Sequence, residues 1–126
     1  MEQLSQETRE QVLRLCALLD GKKAVDIKAL YVADKTIIAE WFVVCSGRSQ
    51  VQVKTLCDEL EDKAPEEGLS VRRKEGYHDG RWIVLDFGHI LVHIFHPEER
   101  EYYNMERLWE DGGQNCIDYS KEYGDA

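Results

Sequence analysis

The sequence predicts a single α/β domain, with a mixed sheet of about five strands flanked by helices. Two observations carry this reading. Helix-period and strand-period stretches alternate along the chain in the order α-β-β-α-β-β-β-α. A strand–helix–strand unit predicts a right-handed crossover, whereas the later strands are separated by connections short enough for hairpins. The chain length of 126 residues suits one sizeable core, and no repeat, linker or low-complexity segment divides it. The domain is expected over residues 1–112, with a helix at 5–20 and an α/β core at 24–112. Residues 113–126 are left as a loose polar tail.

In SQETREQVLRLCALLDG, Ser5 is a candidate N-cap, Val12, Leu15, Cys16 and Leu19 recur at helical spacing, and Gly21 is a stop. VDIKALYV alternates as a strand, and TIIAEWFVVCSG reads as a second, more buried one ending at Gly47. Ser49 and Gln52 then form a capping box for a helix whose apolar face is Val53, Leu56, Cys57 and Leu60. Pro65 and Gly68 end it. LSVRRKEGY is a short polar strand, Asp79-Gly80 signals a hairpin into WIVLDFG, and Gly88-His89 separates that strand from ILVHIF. A last helix starts at Pro97, with Glu98, Glu99 and Glu101 suited to its positive end. Tyr102, Met105 and Trp109 form its expected apolar stripe, and Gly112-Gly113 stops it.

Composition narrows the function classes. No apolar run approaches the roughly 20 residues that span a bilayer. The polar, acidic N-terminus resembles neither a signal nor a transit peptide, so a cytoplasmic protein is expected. Cys16, Cys45, Cys57 and Cys116 are scattered without a C-x-x-C pair and read as buried reduced thiols. The net charge of −9 opposes direct nucleic-acid binding and favours a basic protein partner. Residues 97–126 hold nine acidic and three basic side chains, and so contribute −6 of that charge.

Catalytic and metal constellations are weak. His89 and His93, four residues apart on one strand face, would sit about 13 Å apart, too far for one zinc. His96 points to the other face or lies past the strand end, where a cap contact would suit it. Cys45-Ser46-Gly47 has no nucleophile-elbow motif around it. CSGRSQ, between a buried strand and a helix start, could cradle a phosphate with help from Arg48, although it matches neither glycine-rich phosphate motif. Asp86 interrupts an apolar strand and must be exposed, paired or at an edge. Tyr103 and Asn104 fall off the apolar stripe of the last helix, which predicts exposure there. Tyr and Trp are common binding anchors.

The run EGYHDGRWIVLDFGHILVHIFHPEEREYYNMERLW, with VDIKALYV and IAEWFVVCSGRSQVQV upstream, resembles the ribosomal silencing factor family, known also by its plant member Iojap. The similarity extends from about Ala24 to Asp111. Its most specific words are WIVLDFG, VHIFHPEER and YYN-x-ERLW.

The resemblance implies a nucleotidyltransferase-like α/β fold without enzymatic activity, cofactor or metal. It implies binding to the large ribosomal subunit through the intersubunit-face ribosomal protein numbered fourteen. The bound factor blocks small-subunit joining and damps translation under nutrient limitation. Carried onto this sequence, the docking residues are Trp82, Phe87 and Tyr103 as apolar anchors and Asn104 as a hydrogen-bonding group. Asp86 and Glu99 attract basic side chains, and Arg107 and Leu108 complete the surface. Nucleotidyl transfer needs paired strand acids to hold magnesium, whereas Asp86 is followed two positions on by Gly88. The alternative is a nucleotide- or phosphate-binding enzyme using Ser46, Arg48 and Asp86. His89 stands where many members carry an acid, which weakens the local negative charge. The oligomeric state is left open; a homodimer through the apolar patch would compete with the ribosome.

Overall fold

The computed structural model describes residues 2–124, with side chains from residue 6 onward. The chain runs α1 (Glu2–Gly21), β1 (Val25–Tyr31), β2 (Trp41–Ser46), α2 (Gln50–Lys63) and β3 (Arg73–Glu75). It continues through β4 (Trp82–Asp86), β5 (Ile90–Phe95), α3 (Pro97–Tyr103), α4 (Met105–Trp109), β6 (Cys116–Asp118) and α5 (Tyr119–Glu122). Helix α1 starts before Ser5, so the expected cap falls inside it, and the Ser5 side chain lies outside the described residues. Ser49 does cap α2, its hydroxyl accepting from the Gln52 N–H.

The sheet is mixed and has six strands in the order β3-β4-β5-β2-β1-β6. Among the described residues only β2 and β5 run parallel; the chain between them carries α2 and the β3–β4 hairpin. On one face, Val12, Leu15, Cys16 and Leu19 of α1 and Val53, Leu56, Cys57 and Leu60 of α2 pack onto the strands. These are the two helical faces expected from spacing. The opposite face carries a smaller cluster of Leu30, Val32, Phe42, Val44 and Phe95, covered in part by Met105 and Trp109 of α4.

Three expectations are corrected. Residues 36–40 do not continue β2 but form a connection to it, with Ile37 and Ile38 exposed. The expected last helix is two short ones, because Asn104 adopts a left-handed conformation (φ 45°, ψ 56°) that ends α3 and begins α4. This break resets the helical phase, so Tyr102 is 81% exposed and leaves the stripe, while Met105 and Trp109 keep their packing. Finally, residues 116–122 are not a loose tail. β6 pairs antiparallel with β1 from Lys28 to Leu30, and Ile117 is buried in the larger core.

Candidate protein-docking site

Strand parity decides which side chains can reach the half-covered face. In β4, Ile83 and Leu85 are buried against the helices α1 and α2, so Trp82, Val84 and Asp86 point the other way. Their neighbours in β5 are Phe95, His93 and Leu91. This sheet face is covered by α3 and α4 near Trp82, while Val84 and Leu91 line a notch of about 180 Å³ with Ile38, Arg73, Glu75 and Asp86.

Trp82 sits at the centre of an aromatic stack. Its ring lies 4.9 Å from Phe95 below it and 4.7 Å from Tyr103 above it. Tyr103 is 46% exposed and also packs edge-on against Tyr102 at 5.0 Å. The Trp82 indole N–H donates to Nδ1 of His93 at 3.2 Å. His93 is buried, and desolvation holds its pKa down to about 4, so the ring is neutral and carries its proton on Nε2.

The other expected docking residues divide. Leu108 is 76% exposed on α4, with Arg107 and Asn104 exposed beside it. Asp86 is half-buried, and its Oδ1 accepts from the Gly88 N–H at 2.7 Å, which shapes the β4–β5 turn. Glu99 is held, with Glu98, by Arg81, so its charge is largely answered within the chain. Phe87 does not belong to this surface. It follows Ile83 and Leu85 in parity, is 5% exposed and packs in the larger core. Counting alternate positions from Trp82 would have excluded it. Tyr102 was missed because an uninterrupted helix would have pointed it inward.

The phosphate-binding alternative loses its geometry. Within the CSGRS turn, the Gly47 N–H donates to Phe95 O and the Arg48 N–H to the Gln52 side chain. Ser46 is buried and its hydroxyl accepts from Arg100. Ser46 is level with Phe95 and Trp82, whereas Asp86 lies at the far end of β4, about 13 Å along the strand. Ser46 and Arg48 are therefore not brought together with Asp86. Cys45 faces the larger core, and burial pushes its thiol up to about 12, which removes the nucleophilic thiolate at neutral pH.

The histidines are also apart in role. His96 caps α3 by accepting from the Glu98 N–H, and His89 is exposed, 3.6 Å from the Glu40 carboxylate. His96 Nδ1 or Nε2 and the Glu98 and Glu99 carboxylates come within 4.8 Å of one another, but the adjoining Arg81 guanidinium counters the acids.

Comparison with known proteins places the chain in a family. Residues 5–125 match the model of the family described as "Ribosomal silencing factor during starvation". The chain belongs to the ribosomal silencing factor family. Its relative from Bacillus subtilis, named ribosomal silencing factor, is 38% identical over 112 residues, covering 88% of this chain and 95% of that protein. A crystal structure of a protein from Chromobacterium violaceum superposes with a TM-score of 0.77 at 32% identity, over 80% of this chain and 84% of that one. The chloroplastic Iojap protein of Arabidopsis thaliana is a more distant relative, 27% identical over 97 residues, with 77% of this chain and 40% of that protein covered. The family's description names silencing of ribosomes as its role, in agreement with the resemblance read from the sequence.

Proposed function

We propose that this silencing factor acts by docking, using the face around Trp82, Tyr103 and Leu108, on the large ribosomal subunit. Its partner there is the basic, intersubunit-face ribosomal protein numbered fourteen. The bound factor occupies the space needed by the small subunit, prevents the subunits from joining, and so represses translation when nutrients are limiting. The mechanism is steric, needs neither cofactor nor catalysis, and is set in the cytoplasm, where the ribosomes are.

The observation that carries this reading is the stack of Tyr103 on Trp82, with Tyr103 exposed, on a sheet face that α3 and α4 cover in part. Tyr103 and Leu108 present apolar area to solvent beside an indole that is held from below by His93 and Phe95. Large aromatics in such a setting are the usual centres of binding energy. The acidic balance of the chain favours encounter with a basic protein, and Asp86, lining the notch with Val84 and Leu91, offers a carboxylate to its side chains.

Sucrose-gradient sedimentation tests the proposal. The purified chain is mixed with salt-washed large subunits, and small subunits are then added. Co-migration with the large subunit and loss of the joined-ribosome peak are expected. A protein that stays at the top of the gradient at moderate salt overturns docking. Co-migration with undiminished joining overturns the steric mechanism.

A further inference from the structure

Strand β1 carries a bulge. Val25 pairs with Ser46 and Lys28 with Val44, so β1 uses one residue more than β2 over the same span. Asp26 takes up the excess in the left-handed region, at φ 50°. Two backbone groups at the bulge are satisfied from the C-terminal third of the chain. The Ile27 N–H donates to the Ser120 hydroxyl at 2.8 Å, and Val25 O accepts from Arg100 Nη1 at 3.2 Å. Buried backbone polar groups require such partners, so the bulge forms a polar socket at this end of the sheet.

The Arg100 guanidinium fills that socket and is only 8% exposed. Besides Val25 O, Nη1 donates to Ser46 Oγ at 3.0 Å, which ties α3 to β2. Nη2 lies 3.4 Å from the Asp26 carboxylate. Nε donates to Glu106 at 3.3 Å, across the Asn104 break and onto α4. One planar cation thus joins β1, β2, α3 and α4. A lysine could not reproduce these directions, because its donors radiate from a single point. Helix α4 has only five residues, too few to be stable without tertiary support, yet it displays Leu108.

We infer that Arg100 is a positioning residue for docking: seated in the β1 bulge and paired with Glu106, it fixes α4, and therefore Leu108, relative to Trp82 and Tyr103. The inference rests on the docking reading above. Arg100 itself is buried and touches no partner; it acts by keeping the exposed face in one arrangement before binding, which spares the ordering cost at encounter.

Two variants and two readouts test it. Arg100→Lys removes the planar fork, and Glu106→Gln weakens the link to α4 while leaving Arg100 in its socket. In the free protein, amide exchange at residues 105–109 should become about tenfold faster in both, with α2 unchanged. Affinity for the large subunit should fall about tenfold. In a Leu108→Ala background, Glu106→Gln should cost less than about threefold more, because the group being positioned is already gone. Unchanged exchange overturns the inference. So does a full tenfold loss in both backgrounds, which would make Glu106 act independently of Leu108. If Tyr103→Ala and Leu108→Ala both bind as the parent does, the docking reading fails, and faster exchange in the Arg100 and Glu106 variants would then reduce Arg100 to a structural clamp.

Discussion

The indole N–H of Trp82 donates to Nδ1 of His93, so a half-buried aromatic on the proposed docking face is fixed by an imidazole from the neighbouring strand. The two residues are not directly paired in register: Trp82 is opposite Phe95, and His93 is opposite Val84. The indole therefore leans along the strand, stacking on Phe95 and reaching His93 diagonally. His93 has no other hydrogen-bond partner for Nε2 among the described residues, and it lies against Phe42 and Phe95.

Burial of this imidazole makes stability depend on pH. A histidine in the unfolded chain titrates near 6.5, whereas His93 in the fold is held down to about 4 by burial. Above about 6.5 both states are neutral and the full stability is present. Between these values only the unfolded state takes up the proton, so stability falls as pH falls, by up to about 3 kcal/mol. Urea titrations from pH 7 to 4 should show this loss. His93→Gln, which keeps an acceptor for Trp82 but does not titrate, should lose less over the same range.

Tyr103→Ala separates docking from folding. Tyr103 is partly exposed and rests on Trp82, so its removal should cost no more than about 1 kcal/mol of stability. Affinity for the large subunit should weaken by about 2 kcal/mol or more, as for a central aromatic anchor. Trp82→Ala should weaken binding at least as much and also lower stability, because Trp82 packs against Phe95. Quantitative sedimentation beside chemical unfolding measures both effects; unchanged affinity in each variant removes the stack from the docking face.

Phe87→Ala should behave in the opposite way. The side chain is in the larger core, so its loss should destabilise the fold by about 3–5 kcal/mol. Protein that remains folded should bind the large subunit almost normally. A selective loss of binding at unaltered stability would return Phe87 to the docking surface.

Asn115, beside β6, links β1 to α4. Its side-chain amide donates to Tyr31 O and Trp109 O, and its Oδ1 accepts from the Asp111 N–H. Asn115→Ala should cost about 2 kcal/mol by leaving carbonyls poorly satisfied. Truncation after residue 112 should cost more, since it also removes Ile117 from the core and exposes the β1 edge. A truncated chain with the parent's thermal midpoint would show that β6 contributes nothing to the fold.

Local pattern accounts for much of what was expected. Residues Val12 to Leu19 and Val53 to Leu60 are read correctly because a helix buries one side and repeats every 3.6 residues, wherever the rest of the chain lies. The Ser49 cap is equally local. The acidic balance and the words WIVLDFG, VHIFHPEER and YYN-x-ERLW are also properties of the sequence by itself, and the words were enough to point to the family.

Tertiary structure decided the remainder, for a common reason: each case depends on a partner distant in sequence. Residues 116–118 are too short a run to announce a strand, and they become one only because β1 offers an open edge. Asn104 breaks a helical pattern whose two halves are held at a fixed angle by Arg100, reaching from α3 to the bulge of β1 and to Glu106. That break exposes Tyr102. Glu99 looked like an attractor for basic partners until folding brought Arg81 beside it. Sequence thus determined most of the elements and the family they belong to, since propensity and periodicity act over a few residues. Only the fold could select the side chains that face solvent together, because that choice is made by packing and pairing across the whole chain.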